Sequence, residues 1–188
     1  MSELIVTPDT APHERLMIAT DPDRIAEELA KIGVQFERWD AAVPLGAGAD
    51  QAAVLEAYKA DVARLSTAHG YQSVDVVRMK PDHPDRAAMR AKFLAEHIHE
   101  DDEVRFFVEG QGAFYLRVGG KVYRTVCVAG DLISVPKNTT HWFDAGDRPL
   151  FCAIRLFTTS EGWVAKFTGD KIAESFPEFV NPETREAA

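Results

Sequence analysis

The chain of 188 residues suits a single domain, and its 46% hydrophobic residues can supply a core. Its 30 acidic and 21 basic residues give a formal net charge of -9, which disfavours nucleic acids and anionic membranes as partners. No window approaches the roughly 18 apolar residues of a membrane span, and MSELIVTPDT has no signal-peptide pattern. We therefore expect a cytoplasmic protein in which Cys127 and Cys152 are buried free thiols rather than a disulfide.

Helical spacing of apolar residues dominates the first 70 residues or so. The pair Asp21-Pro22 is a capping residue followed by a first-turn proline, and it opens an amphipathic stretch that ends at Gly33. Residues 50–68 carry a second apolar stripe, which stops before Gly70. The intervening AAVPLGAGA is rich in glycine and proline and predicts a loop.

Strand-like segments dominate after residue 70. They are residues 74–79 and then VRFFVEG, AFYLRVG, KVYRTVCVAG, DLISVP and PLFCAIRLF, with a brief helix expected over 87–94. Glycine-containing turns separate them, and we interpret Gly110-Gln111-Gly112 as one such turn. Short strands at regular spacing indicate an antiparallel barrel. The predicted fold class is α+β, a jelly-roll-like antiparallel β-barrel with N-terminal helices packed outside.

We expect these parts to form one domain over residues 1–188. It would comprise a mainly helical part to about residue 70, a barrel with the functional site over about 71–160, and a C-terminal extension over about 161–188.

Residues able to bind a metal are concentrated in EHIHEDDE, residues 96–103. Alternate strand residues share a face, so His97 and His99 can present two imidazoles to one ion. The acidic residues 100–102 predict a chain reversal, after which Glu103 returns a carboxylate. His141 follows a strand and a proline turn in GDLISVPKNTTHWF. This donor set suits divalent iron, nickel, manganese or zinc and leaves about two of six positions open for chemistry, whereas a structural zinc site would use cysteine.

Other polar and aromatic residues lie near these ligands in the sequence. Arg105 shares the strand face of Glu103, so we expect it to point inward beside an anion, either a substrate or a structural carboxylate. Phe107 and Phe143 have the same parity, and they either wall a substrate pocket or pack in the core. Arg155, on a late strand, is a candidate substrate contact.

Two further acidic residues, Glu96 and Asp102, flank the predicted ligands in sequence. Since neighbouring strand residues project to opposite faces, we expect both side chains to point away from the metal, and solvation by water is the simplest account of them.

Two spacings in the chain resemble the cupin motifs. His97-x-His99-x-x-x-Glu103 with Gly110 resembles the first motif. Gly130-x5-Pro136-x4-His141 resembles the second motif, with Asn138 in place of the usual glycine. The longer runs KFLAEHIHEDDEVRFFVEGQGAFYLRV and DLISVPKNTTHWFD, with the flanks IGVQFERWDA and EGWVAKFTGDKIAESFPEF, are similar to the acireductone dioxygenase family. This resemblance covers nearly the whole chain.

The resemblance implies a monomeric cupin-type enzyme of methionine salvage that cleaves 1,2-dihydroxy-3-keto-5-methylthiopentene with O2. It implies one Fe2+ or Ni2+ per chain on the four predicted ligands. The iron form would yield formate and 4-methylthio-2-oxobutanoate, and the nickel form CO, formate and 3-methylthiopropionate. The resemblance also implies that Arg105 generates and orients the substrate dianion, Glu96 acts in metal incorporation, and Asp102 transmits conformational changes.

Two other functions are compatible with the same ligands. Another cupin enzyme, such as a manganese oxalate enzyme, a quercetin-type dioxygenase or a zinc sugar isomerase, would share the ligands without the flanks. A non-catalytic cupin that binds a small ligand would need an output module, and the sequence has no helix-turn-helix or basic tail.

Overall fold

The computed structural model describes residues 1–41, 43–46, 48–159, 164–182 and 184. Its helices are α1 (Pro22–Ala30), α2 (Gln51–Ala57), α3 (Lys59–His69) and α4 (Arg86–Leu94), with a 3-10 turn at Ile172–Ser175. Its strands are β1 (Glu3–Pro8), β2 (Met17–Ala19), β3 (Gln35–Arg38), β4 (Ser73–Met79), β5 (His97–Ile98), β6 (Glu103–Val118), β7 (Lys121–Val128), β8 (Asp131–Val135), β9 (Thr140–Asp144), β10 (Phe151–Phe157) and β11 (Lys166–Phe167).

The strands form two antiparallel sheets that share β6. One sheet has the order β11-β5-β9-β6-β7-β1-β2, and the other has the order β3-β8-β6-β10-β4. The first half of β6 pairs with β8 and β10, and its second half pairs with β7 and β9. This arrangement, with helices outside it, confirms the predicted α+β fold with a cupin-type antiparallel barrel.

The interpretation of Gly110-Gln111-Gly112 as a turn between two strands was wrong. Residues 103–118 form one strand of 16 residues. Gly110 has a φ of 63° and pairs with Phe151, and the register with β10 shifts just before it, since Cys152 pairs with Glu109 but Ala153 pairs with Phe107, which leaves Val108 as the extra residue. Such a bulge bends the strand instead of reversing it, which lets β6 pass from one sheet to the other.

The N-terminal part is less helical than the sequence analysis predicted. It contributes three strands, since β1 pairs with β2 and β7 while β3 pairs with β8. These strands are short, and their pairings with β7 and β8 join residues 93 to 123 positions apart, as in the pair of Leu4 with Thr125. The predicted helix over 50–68 is also divided at Tyr58, into α2 and α3.

Three apolar clusters hold the elements together. The barrel interior contains Leu4, Phe107 and Phe143, and α1 adds Ile25 and Leu29 to the same cluster. As expected, α2 and α3 pack outside, against the outer face of the β8, β6 and β10 sheet. A third cluster joins the C-terminal segment to the outer face of the other sheet.

The state of the cysteines agrees with the expectation from sequence. Cys127 and Cys152 are buried and free. Within the described residues, none of the helices combines the length and the apolar character that a membrane crossing requires. The predicted C-terminal extension is described over 164–182 and at residue 184, while residues 160–163, 183 and 185–188 lie outside the described residues.

Candidate metal centre

The four predicted ligands meet at one end of the barrel. His97 on β5 is the cross-strand partner of His141 on β9, His99 follows β5 directly, and Glu103 is the first residue of β6. One ligand atom from each residue lies within 4.8 Å of those of the other three. All four side chains are buried, with residue exposures between 1% and 7%. The reversal predicted over 100–102 is what returns Glu103 to the two histidines.

Backbone carbonyls set the orientation of all three imidazoles. The Nδ1 atom lies 2.6 Å from the Ala95 oxygen in His97, 3.2 Å from the Val164 oxygen in His99, and 2.8 Å from the Thr139 oxygen in His141. A carbonyl oxygen can only accept, so each Nδ1 carries the proton and donates it. The Nε2 lone pairs are therefore available to a metal, which is the usual arrangement of metal-binding histidines.

The Glu103 carboxylate lies among these nitrogens. Its Oε2 is 2.7 Å from Nε2 of His141 and 3.5 Å from Nε2 of His99. Burial would raise the pKa of Glu103, but the Arg105 guanidinium and His141 hold it well below its usual value. Burial and the neighbouring His141 lower the pKa of His97 to about 4. Near neutral pH the site thus combines a carboxylate with a neutral His97 imidazole, which are the protonation states of metal ligands.

The donor set fits a divalent cation. Among the described residues, Nε2 of His141 and both carboxylate oxygens of Glu103 are buried with no hydrogen-bond partner of acceptable geometry, despite the 2.7 Å separation. Two acceptors that face each other at this distance repel unless positive charge lies between them. Three nitrogens and one oxygen are a donor set that iron, nickel, manganese and zinc accept, so His97, His99, Glu103 and His141 form a buried metal-binding site for one ion.

Arg105 lies directly beside this centre. Its Nη2 is 2.7 Å from Oε1 of Glu103. The anion expected beside Arg105 was either a substrate or a structural carboxylate. The structure shows a carboxylate there, and it belongs to one of the four metal-binding residues. The guanidinium carbon lies 4.5 Å from the ring centroid of Phe143 and 5.1 Å from that of Phe114. Burial lowers the pKa of Arg105 and Glu103 opposes this effect. An arginine retains its charge in such surroundings, so the site holds a buried cation on two aromatic faces.

A cavity of about 100 Å3 opens onto the metal-binding residues. Its lining includes His97, His99, Arg105 and Arg155, together with Phe93 and Lys92 of α4. Phe93 and Lys92 were not predicted as site residues, because they lie on a helix that precedes the motif. The pattern that predicts a helix over 87–94 does not indicate which part of the barrel that helix packs against.

The two aromatic residues predicted as pocket walls lie deeper. Phe107 and Phe143 do not line the cavity and are completely or almost completely buried in the barrel interior. Phe143 is the ring beneath the Arg105 guanidinium, and Phe107 packs behind it with a centroid distance of 6.4 Å. Of the two interpretations made from sequence, core packing describes them.

The remaining predicted residues have defined partners. Arg155 lines the cavity and is paired with Asp75 at 2.6 Å. Glu96 is buried, which contradicts the expectation of a solvated side chain, and it accepts hydrogen bonds from the Thr168 hydroxyl at 2.6 Å and from Arg117 at 3.3 Å. Asp102 is half-buried and accepts the backbone N–H of Lys137 at 2.8 Å.

Comparisons with known proteins point to one family. Residues 4–165 match the ARD/ARD' family. Acireductone dioxygenase of Parvibaculum lavamentivorans is 64% identical over 95% of this chain and 97% of its own length. That of Stenotrophomonas maltophilia is 54% identical over 96% and 97%. A solved structure, acireductone dioxygenase from Bacillus anthracis with a cadmium ion in its active center, superimposes with a TM-score of 0.77 and 29% identity over 89% of this chain and 98% of its own.

Proposed function

We propose that this chain cleaves 1,2-dihydroxy-3-keto-5-methylthiopentene with O2 in methionine salvage. The proposal starts from two findings: the chain belongs to the acireductone dioxygenase family, and it is a metal-dependent dioxygenase. One observation carries the proposal most directly. One ligand nitrogen from each of His97, His99 and His141 and one carboxylate oxygen of Glu103 lie within 4.8 Å of one another, beside a cavity that a buried arginine also lines. This combination suits a metal with free positions and an anionic substrate rich in oxygen.

His97, His99, Glu103 and His141 would hold the ion. Bound there, a divalent metal supplies Lewis acidity and a template for a substrate that chelates through two oxygens. The three carbonyl-bound Nδ1–H groups keep the imidazoles in the tautomer and orientation that this binding requires. The apolar barrel interior beneath the site limits access of water from that side.

Arg105 would bind and orient the enediolate. Its cationic guanidinium lines the same cavity as two of the metal ligands, and it lowers the cost of a second negative charge beside Glu103. A fork of five N–H donors also imposes an orientation on a planar, oxygen-rich anion. Arg155, held by Asp75, would add a second cation to the same cavity wall.

We propose Fe2+ or Ni2+ as the cofactor, one per chain, because the nitrogen and oxygen ligands suit both. The two forms are expected to cut the substrate differently. Iron would give formate and 4-methylthio-2-oxobutanoate, and nickel would give CO, formate and 3-methylthiopropionate.

Two supporting roles complete the proposal. Glu96 would assist metal incorporation and Asp102 would transmit conformational changes, through its contact with the backbone of Lys137.

All four ligands come from one chain, which supports a monomer as the working unit. Two buried free thiols support the cytoplasm as its location.

The test is to load metal-free protein separately with Fe2+ and Ni2+ and to add the acireductone without oxygen and then with it. We expect loss of the enediol absorbance only with O2, CO from the nickel form, and the 2-oxo acid from the iron form. No oxygen-dependent loss of the enediol with either metal would reject the proposed reaction. Identical products from both forms would reject the metal-dependent choice.

A further inference from the structure

We propose that Lys92 is a recruiting residue, which draws the anionic substrate into the cavity above the metal-binding residues. This inference rests on the proposed function and extends it to a residue outside the motifs. Lys92 is exposed, lies on α4, and lines the cavity together with His97, His99 and Arg105.

Side-chain contacts hold helix α4 against the barrel, and they therefore fix the position of Lys92 at the cavity. Arg90 makes a bidentate ion pair with the buried Asp144 of β9, at 2.8 and 3.0 Å, and also binds Glu178 at 3.0 Å. Met89 and Phe93 of the same helix pack against the barrel cluster. Since β9 also carries His141, the helix is anchored to a strand of the metal site, and Lys92 stays at the cavity beside Phe93.

The other two cations of the cavity already have carboxylate partners. Arg105 lies 2.7 Å from Glu103, and Arg155 lies 2.6 Å from Asp75. Over the part of the chain that the structure describes, no carboxylate lies within ion-pair distance of Lys92. Its charge is therefore available to an incoming anion, and the cavity wall carries a net positive charge although the whole chain carries -9.

An exposed lysine in this place acts on binding more than on the chemical step. It is a mobile point charge on a flexible stem, so it attracts an anion without imposing an orientation. An excess of positive charge in a cleft raises the local concentration of an anion and its association rate, and salt screens the effect. The expected signature is a change in KM and in its dependence on ionic strength, with little change in kcat.

The test compares Lys92→Gln, Lys92→Glu and Lys92→Arg with the wild type, all loaded with the same metal. Turnover of the acireductone is measured at low and high ionic strength. Calorimetry then measures the binding of oxalate, a planar dianion with two neighbouring oxygens, without any turnover. Lys59→Gln is the matched control, because Lys59 lies on α3 outside the barrel, is paired with Glu56, and its removal changes the net charge equally.

We expect Lys92→Gln to raise the KM and the oxalate Kd by roughly three- to tenfold at low ionic strength, as for an exposed charge acting on a dianion. Lys92→Glu should have a larger effect, Lys92→Arg should stay near wild type, and the differences should shrink at high ionic strength. Equal values for wild type and Lys92→Gln in both assays, or an equal loss in Lys59→Gln, would overturn the proposal. Wild type that binds oxalate through Lys92 but never consumes the acireductone would reject the proposed reaction while leaving the recruiting role intact.

Discussion

At the scale of single residues, three backbone carbonyls decide what the histidines can do. Each accepts the Nδ1 proton of one imidazole, so each Nε2 faces the common centre. Residue types and spacing predicted that His97, His99 and His141 would come together. Residue types and spacing contained no information on the tautomers. Val164, the partner of His99, is 65 residues away, and the partners of His97 and His141, although only two residues away, are backbone carbonyls whose direction depends on the folded chain.

Arg105→Lys tests whether the planar guanidinium, and not charge alone, orients the substrate. We expect kcat to fall by about two to three orders of magnitude, since a point charge cannot reproduce several aligned donors. Metal content by elemental analysis should stay at one ion per chain. Arg124→Lys is the control, because Arg124 is paired with Glu3 on β1 and does not line the cavity. A kcat near wild type in Arg105→Lys would contradict the assigned role.

Gly112→Ala tests the support beneath Arg105. An added Cβ would lie 2.3 Å from Cζ of Phe143 and 2.8 Å from Cε2, so this ring, which carries the guanidinium, must move. We expect a loss of about 1–3 kcal/mol in the free energy of unfolding, typical of overpacking, together with reduced kcat. Denaturant unfolding and steady-state kinetics measure the two effects. Gly48→Ala meets nothing within 4 Å and should change neither quantity.

At the scale of elements, β6 determines the shape of the barrel. The strand bends at Gly110. Its first half, which carries Arg105, belongs to one sheet, and its second half, which pairs with β9, belongs to the other. A Cβ at Gly110 would lie 1.9 Å from the Leu150 oxygen, so only glycine fits. Sequence signals could not separate this bend from a turn, because glycine with positive φ occurs at both.

The anchor of α4 is a second feature at this scale. The Asp144 side chain is completely buried and receives Arg90 as well as the backbone N–H groups of Gly146 and Phe179. Arg90→Met would leave that carboxylate buried without a cation, and we expect a loss of about 2–4 kcal/mol of unfolding free energy. Denaturant unfolding provides the measurement.

A double variant separates the charge effect from lost packing. Arg90→Met with Asp144→Asn removes the buried charge and keeps an acceptor for one of the two backbone donors. Loss of the other hydrogen bond costs less than a buried charge without a cation, so the double variant should be more stable than Arg90→Met alone. If the two proteins unfold at the same denaturant concentration, the ion pair is not what holds the helix.

At the scale of the whole molecule, the metal site joins segments that are distant in sequence. Its ligands lie on β5, the following turn, β6 and β9, and β11 covers β5 through the pair of Phe167 with His97. A bound ion therefore crosslinks both sheets and removes the repulsion between Glu103 and the Nε2 lone pairs. We infer that the metal contributes to folding stability as well as to the reaction.

Removal of the metal by a chelator should lower the thermal midpoint. At free metal of about 100 times the Kd, binding adds about 2.7 kcal/mol, which returning Fe2+ or Ni2+ should restore. Differential scanning calorimetry with and without chelator measures the shift. Glu103→Gln is the control, since it loses a charged ligand with little change of shape and should respond much less. A chelated wild type with unchanged midpoint would show that the site is not coupled to stability.

The amino-acid sequence alone determined the family, the α+β class and the identity of four residues that converge on one centre, because strand alternation and a chain reversal place ligands of known spacing on one face. Only the tertiary structure decided that β6 is one bent strand, that β1, β2 and β3 join the sheets, and that α4 brings Phe93 and Lys92 to the cavity. These features depend on pairing and packing between residues far apart in the chain. Local patterns of hydrophobicity and turn residues do not identify these pairing and packing partners.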